Sequence, residues 1–252
     1  MTSVKAASVL EALAHRSALK VISGLQNFDR DSIRKVVRAA QQGRATWVDI
    51  AAQPDLVSWA RQHTDLPICV SAIEPKLLAL AVQAGSDLVE IGNYDSFYAA
   101  GRQFSAAEVI ELTRQTRALL PRTLLSVTVP HTLPLDQQAA LAEQLENLGA
   151  DMIQTEGGTA VHPLHAGSLG LIEKAAPTLA ASYEISRVVS VPVICASGLS
   201  AVTVGMAIAA GASGVGIGKA VSQLQDEVAM VAQIRSLVEA LQPAKHLSAV
   251  VG

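Results

Sequence analysis

Four ionisable side chains stand where a charge is out of place. Lys20, Asp49 and Glu90 interrupt the short apolar runs "LKVIS", "WVDIA" and "LVEIG", and Glu156 closes "MIQTE". A lone charge in apolar surroundings costs several kcal/mol, so these groups must pair with one another or meet a polar ligand. A lysine held among carboxylates forms Schiff bases or moves protons, and a neighbouring Asp or Glu serves as general base. The chemistry they imply is Schiff-base formation or proton transfer. The plainer reading is an internal ion cluster that only fills space.

A second signal lies near the C-terminus, in "PVICASGLSAVTVGMAIAAGASGVGIGKAV". Two apolar runs each end in a glycine turn, "SGLS" and "GIGKA". Glycine lets backbone amides approach an anion closely, and a following helix start adds partial positive charge. Ser197, Gly198, Ser200, Gly216, Gly218 and Lys219 are the expected phosphate donors. Ser71, Asn93, Thr128, His131, Gln154, Gly157 and Gly158 are expected to complete the pocket. The spacing "HPLH" of His162 and His165 is not that of a closed zinc site, even with Glu156 nearby, so no metal is assigned. Cys69 and Cys195 sit in apolar runs and read as reduced core thiols, although Cys195 adjoins the first glycine turn.

These residues need a scaffold that brings them together. Eight strand-like runs, beginning at Leu19, Trp47, Pro67, Leu88, Leu124, Met152, Val193 and Gly214, alternate with helical patterns. Capping residues open several helices: Asp29 or Asp31, Ser105 and Ser200. Gly85, Gly149 and Gly211 close three others with the same turn before the next strand. The pattern predicts an α/β fold, a (β/α)8 TIM barrel with an N-terminal helix, as one domain over 1–252 with a flexible tail at 243–252. The last run is followed by one more helical stretch, "VSQLQDEVAMVAQIRSLVEAL", completing an eighth unit.

Strand parity separates two faces. Val21, Val48, Ile50, Val70, Ile91, Val127, Ile153, Ile194 and Val215 belong to the aliphatic face under the helices. Lys20, Asp49, Ser71, Glu90, Ser126, Thr128, Gln154, Glu156, Cys195 and Ser197 belong to the barrel interior. Two strand-to-helix loops are long, "GNYDSFYAAGRQF" and "GGTAVHPLHAG", on the face where barrels handle ligands. Tyr94, Phe97 and Tyr98 in the first of them are read as a lid or an oligomer contact, because aromatics make up only 3% of the chain.

Half of the 252 residues are hydrophobic and the net charge is −3, with no basic run. That argues against nucleic acid as a partner. No apolar run reaches the roughly 18 residues that a membrane helix needs. The expected partners are a small phosphorylated ligand and further copies of the chain in a homo-oligomer, with no membrane, and the expected location is cytoplasmic.

The last third, from "GADMIQTEGGTAVHPLHAGSL" to "GVGIGKAV", resembles the phosphate-binding half of the ribulose-phosphate-binding and flavin-mononucleotide-binding barrels. From "ALKVISGLQNFD" through "LVEIGNYDSFY" and "SVTVPHTLPLDQQ" to "QTEGGTA", the chain is similar to the hypothetical chloroplast open reading frame twenty-three family of cyanobacteria and algal plastids. That resemblance implies a barrel in a phototroph's cytosol or stroma and no particular reaction. The broader one implies a lyase, isomerase or synthase acting on a phosphorylated metabolite. Two alternatives stay open: a flavin-mononucleotide (FMN) oxidoreductase of the nitronate-monooxygenase kind, with Gly157, Gly158 and a displaced His162 at the cofactor, and a non-catalytic sugar-phosphate sensor.

Overall fold

The computed structural model describes residues 4–158 and 162–242; the expected tail at 243–252 lies outside them. Eight strands run β1 (Ala18–Ile22), β2 (Trp47–Ala51), β3 (Ile68–Ala72), β4 (Leu88–Ile91), β5 (Leu124–Thr128), β6 (Met152–Gln154), β7 (Val193–Ala196) and β8 (Gly214–Ile217). All pairs are parallel, and β8 returns to β1 through Ala18–Gly214 and Val21–Ile217, closing the barrel. The helices are α1 (Val4–Ala14), α2 (Arg30–Gly43), α3 (Pro54–Ala60), α4 (Pro75–Gln83), α5 (Asp95–Ala99), α6 (Ala106–Leu119), α7 (Leu135–Asn147), α8 (Gly167–Ile185), α9 (Val204–Ala209), α10 (Lys219–Ser222) and α11 (Glu227–Leu241). The chain is a (β/α)8 TIM barrel with an extra N-terminal helix.

The interior is layered. At the bottom, Ala18, Trp47, Cys69, Leu88, Met152 and Ile194 form an apolar plug, and α1 seals it with Val9 and Leu13. Above the plug lies the buried charged layer, and above that the open mouth. The aliphatic face of the strands packs under the helices in a separate, larger core.

Caps anchor the helices as the sequence predicts at several points. The Asp29 side chain accepts from the amides of Asp31 and Ser32, and the Ser105 side chain from that of Glu108. Gly85, Gly149 and Gly211 take φ of 109°, 89° and 104°, the left-handed region that glycine supplies after a helix. Two of these turns are locked by one device. Arg61 binds the carbonyls of Leu66 and Gly85 and pairs with Asp87, whose Oδ2 also accepts from Ile68 N at 2.9 Å. Arg117 does the same with Leu120, Thr123, Gly149 and Asp151, whose Oδ2 accepts from Leu125 N at 2.8 Å.

Four expectations need correction. In β7 the parity is reversed: Ile194 joins the interior plug, while Cys195 faces α8, with its thiol 3.6 Å from the Thr178 carbonyl. The cause is register, since Gln154 of β6 stands beside Ile194 and not beside Cys195. The helix expected from Ser200 begins only at Val204, because the Thr203 hydroxyl accepts from Ser200 N at 2.9 Å and holds the chain in a turn. The last helical stretch is split into α10 and α11, with Asp226 capping the second through Ala229 N. Finally, one of the three loop aromatics is inside, while Phe97 and Tyr98 stay half-buried. Tyr94 has no exposed surface and stacks on Phe104 at 4.2 Å, Phe97 meets Phe104 edge-on at 5.5 Å, and Arg102 covers both phenylalanines. Tyr94 is therefore a packing residue on Phe104 and not a surface contact.

Candidate functional site

The charged layer is fully buried and fully paired. Lys20 Nζ lies 2.9 Å from Asp49 Oδ2, 2.7 Å from Glu90 Oε2 and 3.0 Å from Gln154 Oε1, which uses all three of its protons. Ser71 donates to Asp49 at 2.7 Å, and Ser126 to Glu90 Oε2 at 2.7 Å. Burial pulls the Lys20 ammonium down, but the Asp49 and Glu90 charges outweigh it and hold the pKa above its usual value. Burial pushes Glu90 up, against the opposing pull of Lys20. Cys69, beneath the cluster, is pushed well up by burial and by the Asp49 charge, so it stays a thiol.

Two amide side chains roof this layer. Gln154 Nε2 donates to Glu90 Oε1 at 2.9 Å and to Thr128 Oγ1 at 3.1 Å. Asn93, held at φ 61°, lies within hydrogen-bond reach of three acceptors through one nitrogen: Asp49 Oδ2 at 3.0 Å, Ser71 Oγ at 3.0 Å and Glu90 Oε1 at 3.1 Å. Gln154 and Asn93 also line the floor of a cavity of about 620 Å³. The cluster thus stands one polar side chain below the mouth. Lys20, Asp49, Glu90, Ser71 and Thr128 do not line the cavity themselves.

The cavity opens at the C-terminal ends of the strands, the face on which barrel enzymes carry their chemistry. One wall is made by the two glycine turns. Ser197 and Gly198 have φ of 83° and 71°. The amides of Ser197, Gly198, Leu199, Gly218, Lys219 and Ala220 donate to no group among the described residues, and all six residues line the cavity. No hydrogen-bond or ion-pair partner among the described residues meets the ammonium groups of Lys174 and Lys219, both on the same wall. Gly216 is required by space: a Cβ there would lie 2.9 Å from that of Ala196. Ser200 stands apart, its amide and hydroxyl turned to Thr203.

Glu156 reaches the cavity but is already engaged. Oε1 accepts from Tyr94 N at 3.1 Å, and Oε2 from Tyr98 Oη at 3.0 Å with His131 Nδ1 at 3.1 Å. Through these bonds it fastens the first turn of α5. That turn carries Asp95 and Ser96 into the cavity lining, residues that sequence reading missed because nothing in "GNYDSF" marks a helix start. Asp95 Oδ1 and Ser96 Oγ are enclosed and have no partner among the described residues. Burial, reinforced by the Glu156 charge, pushes Asp95 up to about 6.

Of the residues named for a flavin, Gly158 lines this cavity and His162 an adjoining one. The imidazole beside Gly158 belongs to His131, with Nε2 2.9 Å from where a Gly158 Cβ would stand, whereas Gly157 packs on Thr178 and Ser197. His162 lies outside, in an adjoining cavity with His165 and Lys174. His165 pairs with Glu173 at 2.6 Å, so the two histidines and Glu156 do not converge. Among the described residues no cluster of three His, Cys, Asp or Glu is placed to hold a metal.

A closed parallel barrel with an open polar mouth is the class that fold and site define. The chain belongs to the family described as "Protein of unknown function (DUF561)", which it matches over residues 3–247. It is 46% identical over 220 residues to "Uncharacterized protein ycf23" of Cyanophora paradoxa, covering 87% of this chain and 90% of that protein. The protein of the same description from Cyanidium caldarium is 39% identical over 238 residues, covering 93% and 96%.

Among solved structures, "QR15, an Aldolase" superposes with a TM-score of 0.61 at 18% identity, covering 89% of this chain and 94% of that one. 3-Hexulose-6-phosphate synthase gives 0.60 at 17%, covering 89% and 100%. (S)-3-O-geranylgeranylglyceryl phosphate synthase from Thermoplasma acidophilum, in complex with its substrate sn-glycerol-1-phosphate, gives 0.62 at 13%, covering 96% and 99%. At such identities the likeness is one of fold. No helix among the described residues is long and apolar enough to cross a membrane.

Proposed function

We propose that this protein is an enzyme of lyase, isomerase or synthase type that acts on a small phosphorylated metabolite, with the phosphate seated on the turns Ser197–Leu199 and Gly218–Ala220. The observation that carries the reading is the set of six amides without a partner among the described residues, from two separate turns, on one wall of one cavity. Amides in such a place need an acceptor, and an anion supplies more of that need than water does. Lys174 and Lys219 add positive charge to the same wall. The names of the structurally similar synthases point the same way, since two of them speak of phosphate compounds.

In this reading the Lys20–Asp49–Glu90 cluster works from beneath the floor. It fixes Gln154 and Asn93, which meet the ligand, while Glu156 positions α5. A soluble location, in cytosol or stroma, suits such a substrate. The test is calorimetric titration with inorganic phosphate and with a panel of phosphorylated small metabolites, followed by assays for turnover. Saturable binding that Lys219→Glu weakens at least about tenfold, about 1.4 kcal/mol, is expected. Binding without turnover on the panel would make the protein a sensor, and absence of phosphate binding would overturn the reading.

A further inference from the structure

The charged layer decides what the cavity floor shows to a ligand. Every group beneath Asn93 is an acceptor or is spent as one: Asp49 Oδ2, Ser71 Oγ and Glu90 Oε1 all lie at 3.0–3.1 Å from its Nδ2. Turning the amide over would set Oδ1 against two carboxylates, so the orientation is fixed electrostatically. Asn93 Oδ1 accepts from no donor among the described residues and is not among the enclosed unpartnered atoms, which leaves it to the cavity. Gln154, by contrast, has both ends occupied from below. The floor therefore offers one free acceptor, while the glycine-turn wall offers donors.

Asp95 stands two residues further along the same lining. One of its oxygens is enclosed without a donor among the described residues, which disfavours the carboxylate and leaves the group ready to hold a proton. The charged and titratable groups around it are Glu156, Lys219, His131 and Tyr98. Glu156 adds to the upward push of burial, and Lys219 and His131 oppose it.

We propose that the ligand's non-phosphate end is a hydroxyl-bearing carbon chain, that Asn93 Oδ1 accepts a hydrogen bond from one hydroxyl, and that Asp95 is the residue that takes up a proton when this ligand binds. The inference rests on the phosphate reading of the two glycine turns and adds the substrate class to it. The proton comes from solvent and no covalent bond of the ligand changes.

Calorimetric titration near neutral pH with three probes tests it: inorganic phosphate, glycerol 3-phosphate and n-propyl phosphate, which keeps the phosphate and the chain but has no hydroxyl. Glycerol 3-phosphate is expected to bind about tenfold more tightly than n-propyl phosphate, the worth of one good hydrogen bond. Asn93→Gly, which keeps the left-handed backbone, should erase that preference. Repeating the glycerol 3-phosphate titration in two buffers of different ionisation enthalpy counts protons, and Asp95→Asn should lower the uptake. Phosphate binding with no preference for the hydroxylated probe overturns this proposal alone. Proton uptake unchanged in Asp95→Asn overturns the part given to Asp95, a result that stands even where Asn93→Gly does not fold. Failure of the wild-type chain to bind inorganic phosphate overturns the earlier reading and this one with it.

Discussion

Lys20 is the residue whose removal should be felt most. With its ammonium gone, Asp49 and Glu90 share a buried pocket without a cation. Lys20→Met is expected to lower stability by about 3–5 kcal/mol in denaturant unfolding. A second change, Glu90→Gln, should recover part of that loss, because it removes one of the two uncompensated carboxylates. Asp95 works in the opposite sense. Its folded pKa of about 6 lies above the ordinary aspartate value of 3.8, so the folded chain keeps a proton that the unfolded chain releases. Stability then falls as pH rises from about 4 to about 6 and stays lower above that. Asp95→Asn is expected to be more stable than wild type near pH 8 by about 1–2 kcal/mol, after discounting for solvent screening at a partly exposed group, and to show little gain near pH 4. Unfolding curves at the two pH values check it. A carboxyl retained at such a disadvantage fits a place in ligand handling.

At the scale of elements, the two glycine turns differ in what they tolerate. Gly198 has φ 71°, and a Cβ there would run into the Lys174 carbonyl of α8. Gly218 has φ −106°, and a Cβ there would meet only Ile22, at an ordinary contact distance of 3.8 Å. Gly198→Ala should therefore cost about 2–4 kcal/mol and shift its turn enough to weaken phosphate binding, because strain and a backbone clash add together. Gly218→Ala should fold with nearly wild-type stability. Comparing the thermal midpoints and the phosphate affinities of the two variants separates strain from binding. The paired Arg–Asp clamps at Gly85 and Gly149 show the same economy at the other end of the barrel. In each, one arginine satisfies the carbonyls of a helix-to-strand turn, and one carboxylate receives both the arginine and a strand amide.

For the whole molecule, the barrel sorts its interior into layers along its axis. The bottom plug, with Val9 and Leu13 of α1, is apolar, the middle is ionic, and the mouth carries amides and polar side chains. Leu13 belongs to the first layer and is 1% exposed. Leu13→Ala is expected to lower stability by about 2–4 kcal/mol through lost burial and a cavity, with phosphate affinity unchanged. A fall in affinity larger than the loss of folded protein would show that bottom and mouth are coupled.

Strand order, the glycine C-caps and the inward parity of Lys20, Asp49 and Glu90 were set by local spacing, because period-two burial and left-handed turns depend only on near neighbours. The reversal at Ile194 and Cys195 was not legible in this way, since the register of β7 against β6 is a matter of pairing across the sheet. Neither was Asp95. Its role depends on Glu156, 61 residues further along, reaching back to hold the amide of Tyr94. The chain's own order of residues determined that charges would be buried together. Only the tertiary structure decided that they lie one side chain below the mouth, because depth along a barrel axis follows from strand stagger, which no single strand contains.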